Sequence, residues 1–523
     1  MKPNRREALD HVVVLMFENR SFDNLLGRLY EPGEVESFEG VLGKGLSNPI
    51  PAWAEHDADR GVVPYGIAKD MNTPYPDPGE EYQHVNTQLF GQIDPPSNRL
   101  VPGEQMTSPF NAPLAPTEPS MSGFVTDYIS AFTAEMGRQP THAEYSQIMS
   151  GYTPEQMPVL SALARGFAVF DHWFAEVPSQ TFTNRSFFHA ATSSGLLVNA
   201  PYATFPTQNT AETLFDRLDT NGLSWRVYCD PPSRYSLTGV IHAARLRERF
   251  ATNFFSTDQF FEDAANGELP TYAFIEPQII GHAHNDMHPA FGMQTPGLNF
   301  DPPSSIIAGE DLLARVYKAI RSAGSPTGSN WLNTLLMVVF DEHGGTYDHV
   351  PPPAAVPPDA AGPAGQMGFG FDRLGVRLPA IAISPWVAPR TVVNETYRNT
   401  SVISTLRRRW NLGEPLTDRD ADAADIAQTL NLDEPRPPED WPDVTPRPLP
   451  AYDETLIPLD APLSPLAQAL VMGCLALAEQ LGHAVPTIAD PASLRGAEGL
   501  EVIHDALGDL FPGLRPAVSD NSR

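Results

Sequence analysis

Two polar pairs stand out because each follows an apolar run without a break. Glu18-Asn19 comes directly after Val12 to Phe17, and Asp341-Glu342 directly after Leu335 to Phe340. Adjacent carboxylates such as Asp341 and Glu342 raise each other's pKa, so either a cation or an arginine holds them together, or they point apart with one solvated and one capping a helix. Added to Glu18 and Asn19, they make an oxygen-rich set suited to a hard or borderline divalent ion: Ca²⁺, Mg²⁺, Mn²⁺ or Zn²⁺. Gly344 and Gly345 follow at once and permit close backbone approach or positive φ. His282, His284 and His288, with Asp286 among them, follow another apolar run, "TYAFIE". Imidazole titrates in the range that protonates a leaving alkoxide, and the His-x-His spacing serves a metal equally well.

These residues need elements to position them. Val12 to Phe17 is too short to cross a bilayer and does not alternate, as expected of a strand buried on both faces of a parallel sheet. Similar runs recur in "FAVFDH" (167–172), "SWRVYCD" (224–230), "TYAFIEP" (271–277), "LLMVVFDEHGG" (335–345) and "LPAIAISPW" (378–386). Between them Leu312, Leu313, Val316, Tyr317 and Ile320 recur at helical spacing within 309–323. Strands alternating with helices predict an α/β fold, a mostly parallel central sheet flanked by helices. Such sheets bind ligands beyond the carboxyl ends of their strands, where Glu18, Asn19, Asp341 and Glu342 are expected.

The stretch from about 30 to 125 is rich in Pro, Gly, Asn and acidic residues and reads as long loops over that edge, with a second loop-rich span at 350–372. Residues 1–431 form the expected α/β domain, and 432–523 a Pro-rich linker with a small C-terminal helical extension. In that extension Ser464 suits an N-cap, Pro465 the first helical position and Gly482 a stop. The helix body from Leu466 to Leu481 is apolar nearly all round, so burial in the protein or a homo-oligomer contact is expected.

Composition narrows the partners. A net charge of −30 over 523 residues argues against nucleic acid and anionic membrane surfaces. Cys229 and Cys474 give neither a disulfide framework nor a cysteine metal site. No transmembrane segment is expected; location is expected to be cytoplasmic, or exported with a signal peptide absent from this chain.

The ordered stretches "FENRSFDNLLG", "EVPSQTFTNRSFFHAATSSG", "HNDMHP" and "DEHGGTYDHVPPP" resemble the successive motifs of the bacterial phosphoesterase family that contains phospholipases C and a group of acid phosphatases. The resemblance runs from about residue 10 to 430 and implies an alkaline-phosphatase-like α/β hydrolase that depends on a divalent metal and a hydroxyl nucleophile. Carried over, the metal ligands fall on Glu18, Asn19, Asp341 and Glu342, and the nucleophile, itself a ligand, on Thr181. The family usually has proline where this chain has Thr183. Its His-Pro element falls on His288-Pro289, which ranks His288 ahead of His282 and His284 as the acid.

The family's Asp-Pro-x-His stretch departs here: "DPGEEYQH" has Glu80 at the histidine position, and His84 is the nearest histidine. Asn19 is also a substrate-binding candidate, and Arg185 either clamps phosphate or forms a core ion pair. His343 and His349 flank the metal motif. The implied activity is phospholipase C-type cleavage of a small-molecule or lipid phosphodiester. The alternatives are an acid phosphatase and a non-catalytic binding protein that keeps the fold.

Overall fold

The computed structural model describes residues 4–55, 61–199, 204–230, 236–279, 285–289, 305–359, 365–449 and parts of 465–514. Its centre is an eight-stranded sheet. In chain order the strands are β1 (His11–Phe17), β2 (Ala168–Phe170), β3 (Trp225–Cys229), β4 (Phe254–Ser256), β5 (Tyr272–Glu276), β6 (Thr334–Phe340), β7 (Ala380–Ile383) and β8 (Thr391–Val393). Across the sheet they run β8-β2-β7-β6-β1-β5-β3-β4. Only β7 runs against the others. The expected mostly parallel α/β architecture is therefore the one observed.

The central strands form where apolar runs are buried on both faces. Val13 to Phe17 and Leu335 to Phe340 are buried throughout, which explains why neither run alternates. The edge strands β4 and β8 have three residues each and were not singled out from sequence. Segments so short, with part of their surface exposed, carry little periodic signal.

Four helices matter for the site: α1 (Phe22–Leu25), α2 (Tyr82–Phe90), α3 (Phe124–Met136) and α4 (Thr181–Ala190). Helix α2 and the start of α3 interrupt the span expected to be loops. Gln83, His84, Asn86, Thr87 and Gln88 of α2 are buried along with Tyr82, Val85 and Leu89, so the helix is covered nearly all round. Polar residues buried among the apolar ones blur the hydrophobic stripe in the sequence. The helix joins Phe124, Tyr128, Ile129 and Tyr347 in a small core of its own.

The C-terminal helix spans Pro465–Gln480, and Val471, Leu475, Leu477 and Ala478 are buried in the same core as the sheet. Farther on, the Phe511 ring packs on Phe250 and Phe254, with centroids 4.2 and 5.3 Å apart. Among the described residues no helix is long and apolar enough to cross a membrane.

Candidate active site

The register of β1 on β6 pairs Phe17 with Phe340, so Glu18 and Asp341 leave the sheet side by side. The ladder continues one step further, Asp341 N donating to Phe17 O at 3.1 Å. Asn19 then takes φ 55° and turns the chain, while Ser21 caps α1 by accepting from Asn24 N at 3.2 Å. The polar run after β1 thus both caps a helix and delivers Glu18 and Asn19 to the strand end. Gly344 and Gly345 adopt φ 56° and 63°. A Cβ on Gly344 would stand 2.4 Å from Asn19 O, so this glycine lets the two strand ends close on each other.

Asp341 is fully engaged. Its Oδ1 accepts from Asn19 N at 3.1 Å and Glu342 N at 2.7 Å, and its Oδ2 from Arg185 Nε at 3.3 Å. Arg185 also bonds Glu18 Oε1, and its Nη1 lies 3.9 Å from Glu276. Glu276 closes β5 and accepts Leu237 N at 3.2 Å and Thr238 N at 2.7 Å, anchoring the short helix Leu237–Ile241. Of the two roles open for Arg185, the one present here is the buried ion pair. Burial drives Glu18 and Glu342 well above the usual carboxylate range and also raises Asp341, whereas Arg185 pulls Glu18 and Asp341 back.

Thr181 opens α4, one turn before Arg185 and therefore on the same helix face. Its Oγ1 is buried without a hydrogen-bond partner, and so are Glu18 Oε2, Asn19 Oδ1 and Glu342 Oε1. By contrast Thr183 Oγ1 donates to Leu196 O at 3.0 Å. A buried oxygen left unsatisfied costs about 1–3 kcal/mol. One such oxygen on each of Glu18, Asn19, Thr181 and Glu342 has the donor chemistry of a divalent cation's ligands, with Asp341 beside Glu18. Among the described residues, though, the acidic and histidine groups whose ligand atoms all lie within 4.8 Å of one another are Asp77–Glu80–His288 and Asp23–Asp348–His349.

A second group meets this one. The Asn19 amide bonds Glu80, whose carboxyl is in contact with that of Glu342. Asp77, Glu80 and His288 each place a ligand atom within 4.8 Å of the others. His288 is buried, its backbone N donates to Asp286 Oδ1 at 3.0 Å, and its Nδ1 is 2.8 Å from Pro289 O. His282 and His284 lie outside the described residues.

His84 turns away from these carboxylates. Its Nδ1 is 2.8 Å from Asp127 Oδ1, and despite burial that ion pair lifts its pKa to about 9. Asp127 and the Gly79 carbonyl both accept from Gln88 Nε2 at 2.7 Å, so the His84 pair braces the loop that carries Glu80. His343 Nε2 is 2.7 Å from Gln88 Oε1, and burial lowers its pKa to about 3, leaving it neutral. His349 belongs to a separate network with Asp23, which Arg377 also pairs. Asp77, Glu80 and Glu276 were not picked out as site residues from sequence. Glu80 carried one signal, a carboxylate at the motif's histidine position.

The Phosphoesterase family model matches residues 9–413, from the start of β1 to beyond β8. The chain is 32% identical over 444 residues to non-specific phospholipase C3 of Arabidopsis thaliana, covering 81% of this chain and 74% of that protein. It is 25% identical over 469 residues to phospholipase C B of Mycobacterium tuberculosis, covering 83% and 80%. Non-hemolytic phospholipase C of Pseudomonas aeruginosa is 26% identical over 469 residues, covering 82% and 58%. The relatives thus include plant as well as bacterial proteins. Among solved structures, the phosphonate monoester hydrolase from Silicibacter pomeroyi superposes at TM-score 0.30 and 12% identity, covering 54% of this chain and 73% of that one, a likeness too slight to bear on function. Family match and relatives define a phosphoric ester hydrolase. The chain belongs to the Phosphoesterase family.

Proposed function

We propose that the chain is a metal-dependent phospholipase C-type phosphodiesterase in which Thr181 Oγ1 attacks phosphorus. The observation that carries this is the set of unpartnered buried oxygens on Glu18, Asn19, Thr181 and Glu342, on the segments that follow β1 and β6 and at the start of α4. These residues, with Asp341, would hold the cation. When bound, such an ion lowers the pKa of a neighbouring hydroxyl and offsets charge on the phosphoryl oxygens.

The chain's own residues supply the rest. Helix α4 presents Thr181 from its first turn, where the helix dipole favours an anionic ester. Arg185 keeps Glu18 and Asp341 in place from the same helix face. His288, oriented by Asp286 and Pro289, protonates the leaving alkoxide from Nε2 as the imidazolium, whose other proton, on Nδ1, goes to Pro289 O; loss of the Nε2 proton leaves the neutral ring. The phospholipase C relatives favour a phosphodiester bearing an acylglycerol.

The test is turnover of phosphatidylcholine and bis-p-nitrophenyl phosphate against p-nitrophenyl phosphate, with Mn²⁺ and with EDTA. Diester cleavage that EDTA abolishes is expected. Turnover unchanged by EDTA refutes the metal role, and exclusive monoester cleavage refutes the diesterase assignment.

A further inference from the structure

We infer that Arg20 is a positioning residue for the proton-transfer step proposed above, holding His288 at the strand ends through the carbonyl of its neighbour Met287. The backbone of Arg20 is itself fixed, its N donating to Glu342 O at 3.1 Å just beyond β6. From there the guanidinium reaches other segments: Nε donates to Met287 O at 2.7 Å, and Nη1 to Thr73 O at 2.8 Å and Asn24 Oδ1 at 3.1 Å. Thr73 lies on the loop that leads to Asp77 and Glu80, and its O accepts a second bond from the Tyr152 hydroxyl at 2.8 Å. One side chain therefore sets the His288 segment and the 73–80 loop relative to the carboxylates after β1 and β6. A planar guanidinium carries its donors at fixed angles, which suits it to that task better than a flexible ammonium.

Met287 shows what this brace works against. It is buried with φ 68°, in the left-handed region that a long side chain occupies only where its surroundings hold it. Arg20 holds its carbonyl. Gly309 leaves room for its side chain, since a Cβ there would stand 2.5 Å from Met287 Cγ and 3.0 Å from Asn285 O. One residue on, His288 O accepts from Ser305 Oγ at 2.6 Å. The imidazole follows this backbone, because Asp286 and Pro289, which orient His288, belong to the same stretch, 285–289. Burial works against the guanidinium charge, and Tyr152, Asp77 and Asp286 work for it. Those two carboxylates flank the acid: Asp286 Oδ1 accepts from His288 N, and Asp77 Oδ1 is 3.9 Å from His288 Nδ1. The hydrogen bonds of the guanidinium to Met287, Thr73 and Asn24 all go to neutral oxygens, so its charge is left to act on Asp77 and Asp286.

The inference rests on His288 as the acid, and the test separates the two. Rates are measured on the full chain with Mn²⁺ for dihexanoyl phosphatidylcholine and p-nitrophenyl phosphocholine, which share a head group but differ in whether the leaving oxygen needs a proton. Arg20→Lys keeps the charge but not the fork. It is expected to lower kcat on the phosphatidylcholine about 10–100-fold and on the nitrophenyl ester less than about threefold, with KM little changed. Gly309→Ala, which pushes on Met287 and leaves Arg20 intact, is expected to show the same selectivity. In a His288→Ala background Arg20→Lys should add no further loss, as residues that act as one unit do. Equal losses on both substrates in Arg20→Lys while His288→Ala stays selective make Arg20 a purely structural brace and overturn the inference. So does an Arg20→Lys loss that multiplies with that of His288→Ala. Should Arg20→Lys fail to fold by calorimetry, Gly309→Ala decides, and equal losses there overturn the inference. Equal losses in His288→Ala itself overturn the acid reading and the inference with it.

Discussion

Replacing Arg185 by methionine should harm the metal-free protein far more than the metal-loaded one. In the metal-free state Arg185 is the cation that faces Glu18 and Asp341, both fully buried. Removing one partner of a buried ion pair costs about 3–5 kcal/mol because the remaining charge has no compensation. Unfolding entropy scales with length at about 2.1 cal/mol/K per residue, so a chain of 523 residues loses about 1 °C of Tm per kcal/mol. The expected loss in EDTA is therefore about 3–5 °C by differential scanning calorimetry. With saturating Mn²⁺, the bound cation faces the same carboxylates and the loss should fall to about 1–2 °C. By linkage, the remaining difference of about 2–3 kcal/mol must reappear as Mn²⁺ binding roughly 30–150-fold tighter in Arg185→Met than in wild type. Equal losses with and without Mn²⁺, or unchanged Mn²⁺ affinity, would show that Arg185 and the cation do not share these carboxylates.

Thr181→Ala should keep wild-type Tm within about 1 °C yet lower turnover by about 10³-fold or more, as removal of a nucleophile does. Thr183→Ala should behave the other way, losing stability through its bond to Leu196 O while retaining most activity, which steady-state rates and calorimetry will read together. His288→Ala should slow phosphatidylcholine cleavage by about 10²–10⁴-fold and p-nitrophenyl esters much less, because p-nitrophenolate leaves without a proton; equal losses would assign His288 to binding instead. His84, held near pKa 9 in the fold against 6.5 unfolded, binds its proton more tightly when folded, so its contribution is complete below about pH 6.5 and is lost as pH rises through 9. That contribution is at most about 3 kcal/mol, since burial also raises Asp127, and urea titrations of wild type and His84→Ala at pH 6 and 9.5 should converge at the higher pH.

The class of fold was legible in the sequence, as was the placing of the two polar pairs at strand ends, because both rest on local patterns. Short unbroken apolar runs such as Val12 to Phe17 and Leu335 to Phe340 suit strands covered on both faces, and polar pairs directly after them then lie at the carboxyl edge of a parallel sheet. The motif stretches around Thr181 and Asp341 were equally local, and the family match spans both. The expectations of a metal and of a threonine nucleophile rest on the resemblance and on chemistry, and the experiments above decide them.

What only the tertiary structure decided depends on distance in the chain. Register between β1 and β6 sets Glu18 beside Asp341, and no periodicity within either strand contains that alignment. Arg185 had two open roles in the sequence; its ion pair with Glu18 and Asp341 became visible once α4 was seen to pack against both strand ends. Helix α2 escaped notice because buried polar side chains such as His84 and Gln88, whose partners come from α3 and from loops elsewhere in the chain, are mixed with its apolar Val85 and Leu89. Glu80 looked like a motif residue gone missing, and the fold makes it a carboxylate in contact with Glu342 and Asn19. Local sequence specifies which segments must be buried, whereas the pairing of charges is settled only when distant segments share one low-dielectric site, where an uncompensated charge costs too much to leave alone.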